Sequence, residues 1–199
     1  FEWLESLLIG AVISSTDAAS VFSVLRSKKL NLRYGTASIL ELESGSNDPW
    51  AYMLTVIILS VMKGGATAGG FVVSLLAQVF FGVGFGALIS LGAVYLIKRV
   101  RFDAAGFDAI FVTAIAILSY ALPSAVGGNG YLSCYIVGIV LGNTKISGKT
   151  ALVHFFDGIT GFTQILLFFL LGLLAFPSQM PSIILPAAAI ALFLKFVAR

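Results

Sequence analysis

Apolar runs of about 20 residues follow one another along the whole chain, and they limit the available folds more than any other feature. A run of this length can cross the hydrocarbon core of a bilayer as an α-helix, which satisfies its backbone hydrogen bonds internally. Charged residues make up only 11% of the 199 residues, against about a quarter in a typical water-soluble domain. The sequence therefore predicts an all-α membrane protein without a soluble domain.

Short polar connections divide the apolar sequence into seven predicted membrane spans. These spans cover residues 4–25, 34–62, 71–97, 104–122, 126–142, 154–176 and 181–198. Helices joined by such short links form a polytopic bundle that crosses the membrane back and forth. Because the chain begins without methionine and stops at the end of an apolar segment, we expect it to be an excerpt of a longer membrane domain, truncated at both ends.

The basic residues predict which ends of the spans face the cytoplasm. Alternation of seven spans places eleven of the 12 lysines and arginines on one side of the membrane, with only Lys63 on the other. An excess of Lys and Arg on the cytoplasmic side is usual in membrane proteins. We therefore expect cytoplasmic loops at 26–33, 98–103 and 143–150, and no nucleic-acid partner.

Two pairs of glycines recur at a spacing of four residues within predicted spans. Gly82 and Gly86 lie one helical turn apart, and Gly138 and Gly142 repeat that spacing. Small residues on one face of a helix allow another helix to approach closely. The spacing therefore predicts helix-packing surfaces.

Two polar clusters interrupt consecutive predicted spans. The first cluster, "SSTDAAS" (14–20), places Asp17 deep in the first span, and the second cluster, "ELESGSNDPW" (41–50), lies in the next. A carboxylate inside a membrane costs roughly 3 kcal/mol or more unless it is paired, hydrated or protonated, so it is a functional candidate. The alternative is a buried ion pair or interhelical hydrogen bond that only specifies packing. Two clusters on consecutive antiparallel helices favour the functional interpretation.

Helical spacing sorts the residues of the second cluster by face. Ser44 and Asp48 are four residues apart and share one face, whereas Glu43 and Asn47 share the adjacent face. Glu41 lies near the Ser44 and Asp48 stripe, and the spacing assigns it no role.

Both clusters are expected to loosen the helices that carry them. Pro49 has no N–H, so the carbonyl of Gly45 loses its usual helical partner and the helix can deform there. In the first cluster, the hydroxyls of Ser14, Ser15 and Thr16 compete for backbone hydrogen bonds and favour local opening.

The two clusters offer carboxylate, hydroxyl and backbone carbonyl oxygens, with no His or Cys. Oxygen ligands suit a hard cation, and two carboxylates with these oxygens can hold a monovalent ion stripped of most of its water. Carboxylates also bind protons. A site that holds either a cation or a proton, but not both, is what exchange requires, and alternating access then converts a proton gradient into cation movement.

At these residues the chain resembles the monovalent cation/proton antiporters, and it is most similar to the bacterial potassium/proton antiporters of cell volume regulation. The resemblance rests on "STDAASVFSVLR" (15–26) followed by "LELESGSNDP" (40–49), and it extends over all 199 residues. It implies a transporter of about 13 helices, usually a homodimer, with inverted repeats and two crossing discontinuous helices. This chain would be a seven-span fragment of that fold, located in the bacterial inner membrane, with no enzyme activity and no cofactor.

The resemblance also implies roles for individual residues. The expected cation and proton ligands are Asp17, Asp48, Ser44 and the backbone oxygen of Thr16. The expected supporting residues are Asn47, Glu43 and Pro49. Glu43 is expected to pair with an arginine from a later helix outside this chain. Asn-Asp at 47–48, where electrogenic relatives have Asp-Asp, implies electroneutral one-for-one exchange of K+ or Na+ for H+.

Alternatives from other classes use similar residues. An intramembrane aspartyl protease also carries two aspartates on neighbouring helices, but such proteases resemble one another in a Gly-x-Gly-Asp motif where this chain has "SGSND". A cation channel lines its pore with rings of charge, whereas two asymmetric carboxylate sites suit a carrier better. A purely structural membrane module is the remaining alternative.

Overall fold

The computed structural model describes residues 2–16, 32–64, 68–99, 106–146 and 148–198. Within these ranges every regular element is helical, which confirms the prediction of an all-α chain. The α-helices are α1 (Trp3–Ile13), α2 (Thr36–Met62), α3 (Ala68–Arg99), α4 (Phe107–Ala125), α5 (Gly130–Asn143), α6 (Lys149–Leu174) and α7 (Met180–Phe193). Short 3-10 segments precede α2 and α7, at Arg33–Gly35 and Pro177–Gln179, and a π-helical turn, Leu194–Ala198, follows α7.

Three of these helices are long and apolar enough to cross a membrane. They cover Gly69–Arg99, Phe107–Ala125 and Lys149–Leu174. The 27-residue helix α2 is long enough, but the second cluster lowers its hydropathy. Helices α1, α5 and α7 are apolar but shorter. The chain is therefore a multi-pass membrane protein. Of the two helices at the polar clusters, α1 is shorter and α2 is less apolar than a typical membrane span.

The helix observed in the first predicted span, 4–25, ends earlier than we expected. Helix α1 ends at Ile13, where the Ser14 hydroxyl donates to the Ala11 carbonyl at 2.7 Å. Residues 15 and 16 are not helical, and residues 17–31 lie outside the described part of the chain. The hydroxyl groups thus accompany a helix end just before Asp17, as their competition for backbone bonds predicts.

The fifth predicted span, 126–142, also begins later than expected. Gly127 adopts a φ of 79°, in the left-handed region that ends helices, and the next helix starts only at Gly130. Asn129 caps that helix, because its side chain accepts a hydrogen bond from the Leu132 N–H. A tight turn and a helix cap therefore separate α4 from α5.

The chain divides into two compact units, Phe1–Lys149 and Thr150–Arg199. In the first unit α5 packs against α3 and α4, α1 packs against α2, and α2 contacts both α3 and α5. Its apolar core includes Ala93, Ile115, Val137 and Leu141 from α3, α4 and α5. In the second unit α7 packs with the 3-10 and π-helical segments that flank it.

Gly82 and Gly86 lie where α3 meets α5, which confirms the packing surface predicted for this pair. A Cβ at Gly82 would lie 2.9 Å from the Asn129 carbonyl oxygen, and a Cβ at Gly86 would lie 3.2 Å from Ser133 Cα. A Cβ at residue 138 or 142 would meet nothing within 4 Å in the described part of the chain. That second pair therefore makes no close helix contact among these residues.

Candidate functional site

The end of the first helix meets the second cluster of α2. The carbonyl oxygen of Thr16 accepts a hydrogen bond from the Ser44 hydroxyl. The Ser15 hydroxyl donates to Oδ1 of Asp48. Ser44 and Asp48, which were predicted to share a face of the helix, thus both contact the non-helical residues that follow α1.

Three side chains form a closed set of hydrogen bonds beside these contacts. Asn47 Nδ2 donates to Thr16 Oγ1 at 2.7 Å and to Glu43 Oε1 at 3.2 Å. Thr16 Oγ1 in turn donates to Glu43 Oε2 at 3.2 Å. Hydrogen bonds to an ionised carboxylate are stronger than those between neutral groups. The set therefore fixes the non-helical residue 16 against one face of α2.

The structure brings together three of the four predicted ligands, namely Thr16, Ser44 and Asp48. It also joins the predicted supporting residues Asn47 and Glu43 to Thr16. The fourth predicted ligand, Asp17, lies outside the described residues, as does the side chain of residue 41.

The cluster combines buried and exposed oxygen atoms. Ser44 is 5% exposed, whereas Asp48 and Glu43 are exposed. The Oδ1 atom of Asn47 is buried and has no hydrogen-bond partner within the described ranges. Because buried amide oxygens normally have a partner, this atom offers an acceptor for a hydrogen-bond donor from elsewhere. All of these atoms are hard oxygen donors, the type that an alkali cation prefers.

Pro49 does not interrupt α2, which stays helical from Thr36 to Met62. The structure therefore shows no break in the helix at Gly45, where we expected it to loosen. Contacts from α5 hold both ends of this segment, since Asn129 Nδ2 donates to the Pro49 carbonyl at 2.9 Å and Tyr135 Oη donates to the Leu42 carbonyl at 3.2 Å.

Sequence reasoning missed Asn129 and Tyr135. Asn is a preferred helix cap, and residue 129 directly precedes an apolar helical run, so its capping role was available from the sequence. Its contact with Pro49 joins residues 80 positions apart, and helical periodicity carries no information about such a pair.

Comparison with known proteins adds independent findings. The sequence pattern of the family described as sodium/hydrogen exchanger, transmembrane, matches residues 1–199. The K+/H+ antiporter NhaP2 of Shewanella oneidensis is 40% identical over 202 residues, which cover 99% of this chain and 34% of the relative. The K+/H+ antiporter NhaP of Alkalimonas amylolytica is 39% identical over 200 residues, with the same coverage of 99% and 34%. The Na+/H+ antiporter NhaS2 of Synechocystis sp. is 27% identical over 207 residues, which cover 99% of this chain and 37% of the relative. The chain thus spans about a third of the length of these curated relatives.

Proposed function

Because the chain belongs to the sodium/hydrogen exchanger family, as its resemblance to the monovalent cation/proton antiporters predicted, we propose that it forms the cation-binding part of a secondary active transporter. The transporter exchanges a monovalent cation, K+ or Na+, for protons across the membrane. The observation that carries the proposal is the convergence of residues 15 and 16 on the second cluster of α2. The protease and channel alternatives gain no support from the matched family or from the named relatives.

The proposed cation ligands are Asp17, Asp48, the Ser44 hydroxyl and the Thr16 carbonyl oxygen. In support, the Ser44 hydroxyl and the Thr16 carbonyl lie within hydrogen-bond distance of each other, so one cation can contact both oxygens. Asp48 provides a carboxylate on the same face of α2, and the Ser15 hydroxyl orients it. This set combines charge with neutral oxygens, as a site for a dehydrated monovalent cation requires.

Asn47 and Glu43 support the site without binding the cation in this proposal. Their hydrogen bonds to Thr16 hold the non-helical backbone whose carbonyl oxygen faces the Ser44 hydroxyl. An arginine from outside this chain then neutralises the exposed Glu43. Pro49 acts on the same segment by removing one backbone donor from the turn that carries Asp48.

Exchange follows from competition for the carboxylates. A proton on Asp48 removes the negative charge that holds the cation, and a bound cation favours loss of that proton. Asn47 carries no titratable proton, which supports one-for-one electroneutral exchange. Alternating exposure of the site to the two sides of the membrane then couples cation movement to the proton gradient.

The chain is proposed to lie in a bacterial inner membrane as part of a homodimer. The distribution of basic residues supports cytoplasmic loops at 26–33, 98–103 and 143–150. The antiporters that match the chain come from bacteria, which supports the same location.

A flux experiment tests the proposal. The gene product that contains this chain is reconstituted into vesicles with an imposed pH gradient, and K+, Na+ or impermeant choline is added separately. We expect K+ or Na+, but not choline, to dissipate the gradient, at a rate independent of the membrane potential. Asp17→Asn and Asp48→Asn are expected to abolish this exchange in folded protein. Exchange retained by Asp48→Asn would overturn the proposed site, and a rate that follows the membrane potential would contradict one-for-one electroneutral exchange.

A further inference from the structure

Asn129 joins three helices of the first unit through three hydrogen bonds. It is 1% exposed and directly precedes α5. Its Oδ1 atom accepts from the Leu132 N–H at 3.1 Å, which caps α5. Its Nδ2 atom donates to the Pro49 carbonyl of α2 at 2.9 Å, and its backbone N–H donates to the Gln78 carbonyl of α3 at 3.1 Å. The cap uses only the amide oxygen, so the amide nitrogen is available to hold α2.

Tyr135 makes a second contact from α5 to α2. Its hydroxyl donates to the Leu42 carbonyl at 3.2 Å. Its ring lies over Gly45, since a Cβ added at that glycine would come within 2.7 Å of Tyr135 Cε2. The absence of a side chain at residue 45 therefore allows the ring to reach α2.

The carbonyls of Leu42 and Pro49 bracket the proposed ion ligands of α2. They are seven residues apart and therefore lie on one face, two helical turns from each other. Ser44 and Asp48 lie between them in the sequence. Pro49 provides no N–H, so the turn that ends there has one backbone hydrogen bond fewer than an ordinary turn. Donors from α5 at both ends of this segment limit how far the weakened turn can bend.

On the premise of the proposed cation/proton exchange, we propose that Asn129 and Tyr135 are positioning residues for the ion site. They hold residues 42–49 of α2 in the geometry that presents Ser44 and Asp48 to the cation, and they act through the helix without touching the ion. Removing a group that contacts and orients a metal ligand commonly lowers affinity by about 10–100-fold, and the lower end of that range applies to groups that act through the backbone of the helix that carries the ligands. The loss of either contact therefore weakens cation binding.

Transport kinetics separate this role from a purely structural one. A variant that is only less stable leaves fewer active molecules, which lowers the maximal exchange rate and leaves the half-saturating cation concentration unchanged. A variant with displaced ligands raises the half-saturating concentration in molecules that are folded. The half-saturating concentration is therefore the decisive quantity.

Two substitutions of Asn129 remove its donor to Pro49 and keep the helix cap. Asn129→Asp retains the shape of the side chain and a cap oxygen, but it replaces the amide donor by an acceptor. Asn129→Ser retains a cap hydroxyl without adding a buried charge, and it is too short to reach α2. Asp and Ser are both preferred cap residues, so α5 keeps its start in either variant.

A third variant and a matched control complete the set. Tyr135→Phe keeps the ring over Gly45 and removes only the donor to the Leu42 carbonyl. The control is Asn143→Asp. In the wild-type chain the Asn143 amide also donates to a backbone carbonyl, that of Ile139 at 2.8 Å, but this bond stays within α5 and does not involve α2.

Exchange is measured in vesicles that contain the full gene product, over a concentration series of K+ and then of Na+. We expect the half-saturating concentration to rise about tenfold in Asn129→Ser and Asn129→Asp and about threefold in Tyr135→Phe. The maximal rate is expected to stay near that of wild type, because the change is confined to binding, and Asn143→Asp should match wild type. If the Asn129 variants do not fold, Tyr135→Phe decides alone. Unchanged half-saturation in the variants that fold would overturn the inference, whereas wild-type protein without any exchange would overturn the proposed function instead.

Discussion

Replacement of Gly82 by alanine tests how closely α3 packs against α5. The new Cβ would lie 2.9 Å from the Asn129 carbonyl oxygen and 3.2 Å from Leu132 Cδ2. The first contact is with backbone, which cannot rotate away, so one helix must shift by a few tenths of an ångström. Adding a methyl group to a well-packed interface costs roughly 1–3 kcal/mol.

Gly84→Ala is the matched control, because it isolates this packing cost from helix propensity. Alanine stabilises the interior of a helix by about 1 kcal/mol relative to glycine, and both positions lie inside α3. A Cβ at Gly84 would meet nothing within 4 Å in the part of the chain that the structure describes. Subtracting the two variants cancels the propensity term and leaves the packing cost of about 1–3 kcal/mol.

The free energy of unfolding of both variants is measured by titrating detergent-solubilised protein with SDS and following helix content. We expect Gly82→Ala to be less stable than Gly84→Ala by about 1–3 kcal/mol. Because the clash involves the backbone of Asn129, Gly82→Ala should also raise the half-saturating cation concentration, and Gly84→Ala should not. Equal stability of the two variants, within about 0.5 kcal/mol, would refute the close approach of α3 to α5.

Two further predictions concern the contacts of α2. Gly45→Ala should weaken cation binding, because its Cβ would come within 2.7 Å of the Tyr135 ring. Adding Tyr135→Leu should relieve that clash and make the double variant more stable than Gly45→Ala in SDS titration. A double variant that is no more stable would contradict this reasoning. Thr16→Val should lower the free energy of unfolding by about 1–3 kcal/mol, since it removes hydrogen-bond partners of Asn47 and Glu43. Thr16→Ser should restore most of that stability, and an unaffected Thr16→Val protein would rule out the closed set of hydrogen bonds.

Local sequence was sufficient to predict which residues of α2 act together. Ser44 and Asp48 are four residues apart, as are Glu43 and Asn47, and the regular helix turns both pairs toward the residues that follow α1. The all-α fold class was predicted from the length of the apolar runs, which also depends only on the geometry of a single helix. Both arguments use the fixed geometry of one helix, so they need no knowledge of the rest of the fold.

Contacts between distant segments could not be predicted from that geometry. The bond from Ser44 to Thr16 joins residues 28 positions apart, and its importance was expected only because the chain resembles a known family. The bond from Asn129 to the Pro49 carbonyl of α2 joins residues 80 positions apart, and the predicted span 126–142 that contains Asn129 gave no indication of this pair. Local rules predict a weakened turn before Pro49, but they do not predict that α2 stays helical through it.

Cation-dependent proton release tests the central claim most directly. K+ or Na+ is added to weakly buffered, detergent-solubilised protein, and the change in pH is recorded. If the cation and the proton compete for the carboxylates of one site, wild-type protein should release protons as the cation binds. Asp48→Asn should abolish this release, and Asp108→Asn, which changes a carboxylate in the first turn of α4, should retain it. Proton release of wild-type size from folded Asp48→Asn protein would contradict the assignment of the cation site to the second cluster of α2.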